Sequence, residues 1–406
     1  MESPKEHRRP ETSGPIRLYT AAQSVSATGS WMQRTAMGWL AWDLTHSAPW
    51  VGALALMELI ALIWVTPLAG TLADRRSPYK VFMSTQLMLL VSALGLGLLT
   101  ALGALSIGLL LGFALLEATL NGFNNPVRMT AINYLAWEGR ISNAIAMNSL
   151  AVGLARSIGP AVAGFLILHG GAAPVFALNS ASFLAMILVI RHYRVWLDRP
   201  PSGKHTSFLA DIKAGFAYIA RTPDIAVIFM IAAAFSVLAR PFAEMLPVFA
   251  GQVFAGGPQT LGMLLTAQGL GAMVGSAIMI RRHGARPLLP LVTGTGAGLA
   301  ILIVVFTATA NLRIALPALF VAGIFHVMCN IGLQSLTQTR AAPAFRGRAL
   351  SLYSLLFRSG PSAGAFLIAM ASPWLGLRPL IGGAAALAGV LIVMVGRRAA
   401  NTGVKP

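Results

Sequence analysis

The chain has 406 residues, 56% of them hydrophobic and 10% charged, with a mean hydropathy of +0.72, too little polar surface for a water-soluble domain. The formal net charge of +18 invites a nucleic-acid reading, but Lys and Arg are spread over alternate breaks between apolar runs, which points to a lipid bilayer and away from nucleic acid. Cys329 is the single cysteine, which excludes an internal disulfide framework and a cysteine-based metal cluster.

A spanning helix needs about 20 apolar residues. Twelve such runs are predicted, at 18–43, 50–73, 79–102, 105–127, 142–168, 172–193, 224–250, 259–281, 287–309, 313–338, 347–371 and 375–396. The runs are continuously apolar rather than alternating, which excludes a membrane β-barrel. The start, MESPKEHRRPETSGPIR, is polar and reads as no secretory signal, so the first span is expected to direct insertion. That span holds Trp31 and Arg34. The second holds Glu58, the fourth Glu117 and Phe123, and the fifth Arg156, just before Gly159 and Pro160. The seventh holds Arg240 and Glu244, the eighth Gln268, and the eleventh Arg358, just before Gly360 and Pro361.

Basic residues mark one side of the membrane. They occur at the start (Lys5, Arg8, Arg9, Arg17), after the second span (Arg75, Arg76, Lys80) and after the fourth (Arg128, Arg140). They return from Arg191 to Arg221, at Arg281, Arg282 and Arg286, at Arg340, Arg346 and Arg348, and at Arg397, Arg398 and Lys405. The intervening breaks hold only Arg313 and Arg378. The positive-inside rule therefore predicts a multi-pass protein of the cytoplasmic (inner) membrane with both termini cytoplasmic, which requires an even number of spans.

The longest polar break, RHYRVWLDRPPSGKHTS at 191–207, precedes FLADIKAGFAYIART, read as an amphipathic helix along the cytoplasmic surface. It divides the chain into a first six-helix bundle (1–193), a linker (194–223) and a second bundle (224–406). Two echoes support the division. SLAVGLARSIGP at 149–160 returns as SLYSLLFRSGP at 351–361, and Arg34 and Arg240 lie at similar depths in the first span of each half. The openings WVGALALMELIALI and TLGMLLTAQGLGAM align Gly52 with Gly262 and Glu58 with Gln268. Such repeats are the trace of a transporter built from two pseudo-symmetric bundles.

An ionised side chain in hydrocarbon costs a few kcal/mol, so each one inside a span is a functional candidate that needs a partner. Depth places Glu58 near Arg34 and Glu117 near Arg156; Glu244 follows Arg240 by four residues, on one helical face if Pro241 permits. The opposing reading is structural: an arginine in mid-helix can bond carbonyls at a helix break, and a carboxylate can sit in a permanent ion pair. Trp31, Trp39, Trp42, Trp50 and Trp64 gather around the first two spans, most of them as interface anchors, while Trp31 and Phe123 are candidates for an apolar cavity. His169 and His326 stand alone, without Glu or Cys at metal spacing, so neither metal nor cofactor is expected. The glycines of GLGLL and GTGAGLA lie inside spans rather than in a phosphate loop, so ATP is not the energy source. No span offers a His/Asp or Ser/His pair at workable spacing, which argues against an intramembrane enzyme.

GTLADRRSPYK, from Gly70, resembles the signature loop of the major facilitator superfamily. Gly70, Asp74 and Arg75 match it; Ser77 and Pro78 depart from it, and Lys80 stands as a substitute cation. GLARSIGPAVAG, from Gly153 to Gly164, resembles the antiporter motif of that superfamily's fifth helix. GSWMQRTAMGWLAWDLTHS, NNPVR, NAIAMNSLAVGLARSIGP and FRGRALSLY resemble its bacterial exporter branch. The resemblance implies an all-α fold of 12 transmembrane helices and a cytoplasmic gate around Gly70, Asp74, Arg75, Lys80, Arg346 and Arg348. It also implies a seam where the second span meets the eleventh and the fifth meets the eighth, placing Arg358 near Glu58 and Arg156 near Gln268, with Gly159, Pro160, Gly360 and Pro361 alongside. The first span of each half would line the cavity, with Arg34 and Arg240 in it. The expectation is a secondary transporter that acts as a monomer, exchanging a small amphipathic organic compound (a siderophore, drug or metabolite) for protons carried on Glu58, Glu117 or Glu244. Uptake or facilitated diffusion on the same fold, and a non-transporting membrane receptor or assembly factor, stay open at this point.

Overall fold

A computed structural model describes residues 13–75, 77–136, 141–198, 208–282, 287–343 and 345–401. Among them every regular element is a helix, as expected where the chain must satisfy its backbone groups internally in lipid. The first half contains α1 (Gly14–Thr45), α2 (Ala48–Arg75), α3 (Pro78–Ala101), α4 (Ile107–Leu135), α5 (Ile141–Gly170) and α6 (Ala173–His192). Two short helices follow, α7 (Arg194–Leu197) and α8 (Phe208–Arg221). The next segment begins as α9 (Pro223–Ala233), continues as a π-helical turn over Ala234–Ala239 and a 3₁₀ turn over Arg240–Ala243, passes through α10 (Leu246–Val248) and ends as a second π turn over Phe249–Val253. The chain finishes with α11 (Pro258–Arg281), α12 (Leu288–Ala308), α13 (Leu312–Arg340), α14 (Arg346–Leu375) and α15 (Leu377–Asn401).

Local chemistry sets the starts and stops. Ser77 caps α3 by accepting the Lys80 N–H at 3.3 Å, with Pro78 following it; Ser106 caps α4 through the Leu109 N–H, and Asn311 caps α13 through the Arg313 N–H. Gly376, at φ +78°, makes the turn between α14 and α15, a backbone region that side chains with a Cβ resist.

Nine of the described segments are long and apolar enough to cross a membrane: α3, α4, α5, α6, the 223–253 segment, α11, α12, α13 and α15. Of the remaining long helices, α2 is apolar over Ala48–Leu62, and α1 and α14 are more polar. α1 carries Thr20, Gln23, Ser26 and Gln33, all buried, and α14 opens on RGRALSLYSLLFRSGPS.

By packing, the described residues form two units, one from Met1–Met37 with Ile60–Lys204, the other from Gly38–Leu59 with His205–Pro406. In the first unit, Ile16, Tyr19, Phe82, Ile132, Leu135, Met186 and Ile190 make a buried cluster. In the second, Phe306 gathers the aromatics of the broken segment, with ring centroids 6.4 Å from Phe242, 4.8 Å from Phe249 and 5.9 Å from Phe254. Small residues bring helices close in both. Gly122 of α4 faces Val65 of α2, and Gly271 of α11 lies against the Phe320 carbonyl of α13, the contact that replaces hydrophobic driving force inside a membrane.

Three local expectations change. Arg128, read as a loop cation, is inside α4, because that helix continues past Pro126 to Leu135. Among the tryptophans, Trp50 and Trp64 are exposed as anchors would be, but Trp39 and Trp42 are buried; Trp42 packs on Gly251, where a Cβ would collide with its ring. The helix α8 does more than rest on a surface. Its Tyr218 ring stacks on Phe345 at 4.5 Å, its Tyr218 hydroxyl accepts the Ala342 N–H at 2.9 Å, and a Cβ on its Gly215 would lie 2.6 Å from Leu352 Cδ1, so it is packed against the start of α14.

Candidate functional site

The first unit holds a chain of hydrogen bonds between three helices. Ser182 Oγ of α6 donates to the Asn179 carbonyl at 2.7 Å and lies 3.0 Å from Asn179 Oδ1. Asn179 Nδ2 donates to Gln33 Oε1 of α1 at 2.7 Å, and Gln33 Nε2 donates to Glu117 Oε2 of α4 at 2.7 Å. The amide hydrogens of Asn179 and Gln33 point along the chain toward the carboxylate, an arrangement that favours a negative charge at its end. Gln33 and Asn179 are buried, at 2% and 0% exposure. Gly29 makes room for them, since a Cβ there would collide with Asn179 Oδ1 and lie 2.5 Å from Ser182 Oγ. Two turns toward the start of α1, Gln23 Oε1 accepts from Arg128 Nε at 3.0 Å.

On the same helix Trp31 is flanked by cations. The Arg34 guanidinium lies 5.6 Å from the indole centroid, and that of Arg156, from α5, lies 5.0 Å away, both within cation–π range. Gly159 fixes this approach: a methyl group there would lie 2.7 Å from Trp31 Cβ and 3.0 Å from the Thr28 carbonyl. Arg156 is exposed, and Phe123 on α4 is half-buried.

In the second unit Arg240 opens the 3₁₀ turn of the broken segment. Its Nη1 donates to the Phe357 carbonyl of α14 at 2.6 Å, and its guanidinium lies 3.8 Å from the Phe357 ring centroid. Phe357 stacks at 6.0 Å on Tyr353, whose hydroxyl lies 2.7 Å from Asn330 Oδ1 on α13. Gly360 and Gly364 carry α14 onto the broken segment. A Cβ at Gly360 would be 2.8 Å from Ser236 Cβ, and one at Gly364 would strike the Val237 carbonyl. The close approaches of Gly159 and Gly360 are thus made inside their own units. Pro160 and Pro361 follow within α5 and α14 without ending them.

Glu58, on α2, packs with the second unit. Its Oε2 lies 3.5 Å from Ser362 Oγ, a long contact one turn beyond the exposed Arg358 on α14. Glu244 N–H bonds the Pro241 carbonyl at 3.1 Å as the 3₁₀ turn closes, so the spacing from Arg240 is that of a tighter helix than the α-helix the sequence suggested. Gln268 presents its backbone carbonyl to Gly323 of α13. Of the gate residues, Lys80 is exposed at the start of α3 and Arg346 at the start of α14, while the Arg348 guanidinium lies 5.6 Å from the Phe345 ring. Gly70, Asp74 and Arg75 fall in the last turns of α2, and their side chains lie outside the described residues.

Gln33, Asn179, Gln23, Tyr353 and Asn330 were not singled out from the sequence. The signal available was the spacing of polar residues along α1, where Gln23, Ser26, Ser30 and Gln33 repeat at three and four residues and share a face.

Polar and charged groups are thus embedded in packed, apolar helices, and solved structures of membrane transporters share this fold. A bacterial homolog of the human lysosomal transporter Spinster superposes with a TM-score of 0.70 at 16% identity, covering 95% of this chain and 98% of that one. The peptide transporter POT does so with a TM-score of 0.73 at 13% identity, covering 94% of each. Residues 12–402 match the transmembrane secretion effector family, and the chain belongs to it. Its curated relatives include the staphyloferrin A transporter of Staphylococcus aureus (strain NCTC 8325 / PS 47), 20% identical over 80% of this chain and 81% of that protein. The enterobactin exporter of Shigella flexneri is 25% identical over 80% of this chain and 77% of its own length. The chain is a multi-pass membrane transporter, not an enzyme.

Proposed function

We propose that this protein exports a small amphipathic organic compound from the cytoplasm in exchange for protons, by alternating access between two six-helix bundles, 1–193 and 224–406, joined by the 194–223 linker. In this reading twelve helices span the cytoplasmic membrane, both termini face the cytoplasm, and the monomer is the working unit. The names of the relatives, a staphyloferrin A transporter and an enterobactin exporter, support a siderophore or a similar metabolite as cargo.

The proton-coupled part rests on carboxylates placed inside the spans, and the hydrogen-bond chain that ends on Glu117 is one sign that such a group is held there. A membrane helix gains nothing in solubility from a carboxylate, and burying one is costly. Unit one nonetheless orders Asn179 and Gln33 to hold one in place. A carboxylate that alternates between apolar and cationic surroundings binds and releases a proton as helices move. Glu58 is assigned the coupling role, since its contact is with Ser362, a turn from Arg358 on a second helix; Glu117 and Glu244 are the alternatives.

The test is proton release from detergent-solubilised protein on addition of a panel of siderophores, dyes and lipophilic drugs. Release in the wild type that disappears in Glu58→Gln is the expected result. Release that survives Glu58→Gln moves the carrier to Glu117 or Glu244, and silence across the panel counts against antiport.

A further inference from the structure

The two cations over Trp31 differ in what surrounds them. Arg156 is exposed, and among the described residues its guanidinium makes no hydrogen bond or ion pair and lies 5.0 Å from the Trp31 ring centroid. A second guanidinium, Arg34, lies 5.6 Å from the same ring and adds repulsion. Glu117, the carboxylate of the nearby helix α4, accepts from Gln33 at 2.7 Å. An arginine in mid-helix that faced lipid in this state would cost several kcal/mol, so Arg156 faces water or an anion.

Its position is also fixed. Gly159, one turn further along α5, lets that helix touch the backbone of α1, with a methyl group there only 3.0 Å from the Thr28 carbonyl and 3.2 Å from the Met32 nitrogen. The contact holds the base of Arg156 beside Trp31 without help from its charged end. The guanidinium offers a planar fork of donors suited to two oxygens of one acid group, and the indole beside it offers an apolar face.

We infer that Arg156, with Trp31 and Arg34 beside it, is a binding site for an organic anion whose carboxylate or equivalent acid group sits on the fork and whose aromatic or apolar body lies against Trp31. This narrows the cargo proposed above to acidic amphipathic compounds and rests on the transporter reading for its purpose. Arg156 then acts in substrate recognition rather than only where helices meet.

The test measures equilibrium binding to the full-length purified chain in nanodiscs, using benzoate, salicylate and 2-naphthoate, each paired with its neutral amide. The acids are expected to bind saturably, and their amides about tenfold more weakly or worse, the size of one lost charged hydrogen-bond pair. Arg156→Gln should bring acid binding down to the level of the amides, Arg156→Lys should fall between, and Arg313→Gln, in an outer turn, should change nothing. Acid and amide binding alike, acid binding indifferent to Arg156→Gln, or no saturable binding by the wild type would each overturn the site. Flux measured in proteoliposomes separates the two claims. Acid binding as described with no flux of any compound would refute the transporter reading and leave the anion site standing. Flux that ignores Arg156→Gln would do the reverse.

Discussion

α1 and the 223–253 segment each carry an arginine in mid-segment, yet the two are built differently. α1 runs unbroken from Gly14 to Thr45, and Arg34 lies over a ring of its own helix, one turn back. Its counterpart, 223–253, passes through π, 3₁₀ and π turns, and Arg240 reaches out to the backbone of α14. Pro241 and Pro247 act here together with the packing of Phe242 and Phe249 on Phe306. Each proline removes a backbone donor and disfavours regular α-helix before it. α1 is thus an unbroken helix that organises side-chain amides, and 223–253 a jointed one held by a charged bond to a carbonyl. Departures from regular α-helix inside membrane segments are frequently functional.

Several changes would break or sharpen that contrast. The largest effect is expected from Gly364→Val, which drives a branched side chain into the Val237 carbonyl and Pro241, the joint itself. Overpacking against backbone costs about 3 kcal/mol, seen as a large drop in thermal unfolding temperature in detergent. Arg240→Met comes next. It deletes the 2.6 Å bond to the Phe357 carbonyl, a charged hydrogen bond worth about 1.5–3 kcal/mol, and the same assay should show Arg34→Met costing less. Gln33→Leu leaves Asn179 Nδ2 without its acceptor inside unit one, for about 1–2 kcal/mol. The expected signature is a stability loss rescued by the double change Gln33→Leu with Asn179→Leu. The smallest effect belongs to Tyr353→Phe, which removes only the hydroxyl on Asn330, about 1 kcal/mol by chemical denaturation.

Much of the fold was legible. Long apolar windows, Ser-Pro and Asn starts, and the duplicated Arg-Ser-Gly-Pro or Arg-Ser-Ile-Gly-Pro stretches are local signals, and charge inside a span stands out against its surroundings. Arg34, Arg156, Arg240 and Glu117 could therefore be picked out as candidates. The neutral amides were harder. Gln33 and Asn179 are 146 residues apart, and nothing in either neighbourhood announces that one will hold the other. The pairing of Glu117 with Arg156 by depth had no means of seeing that a glutamine on α1 reaches the carboxylate. Pro241 marked a kink, but the alternation of π and 3₁₀ turns depends on Phe242 and Phe249 meeting Phe306 from another helix. Trp39 and Trp42 were misread for a related reason. An aromatic belt and a buried aromatic look alike in sequence, and it is Gly251, far along the chain, that makes space for Trp42.

The central claim is coupling of cargo movement to protons through an intramembrane carboxylate. The most direct measurement is efflux of a loaded acidic siderophore from proteoliposomes under an imposed pH gradient, for the wild type and for Glu58→Gln. The account predicts gradient-driven efflux in the wild type that collapses with a protonophore, and in Glu58→Gln only exchange down the cargo's own gradient. Efflux by the wild type that is indifferent to the protonophore would contradict it.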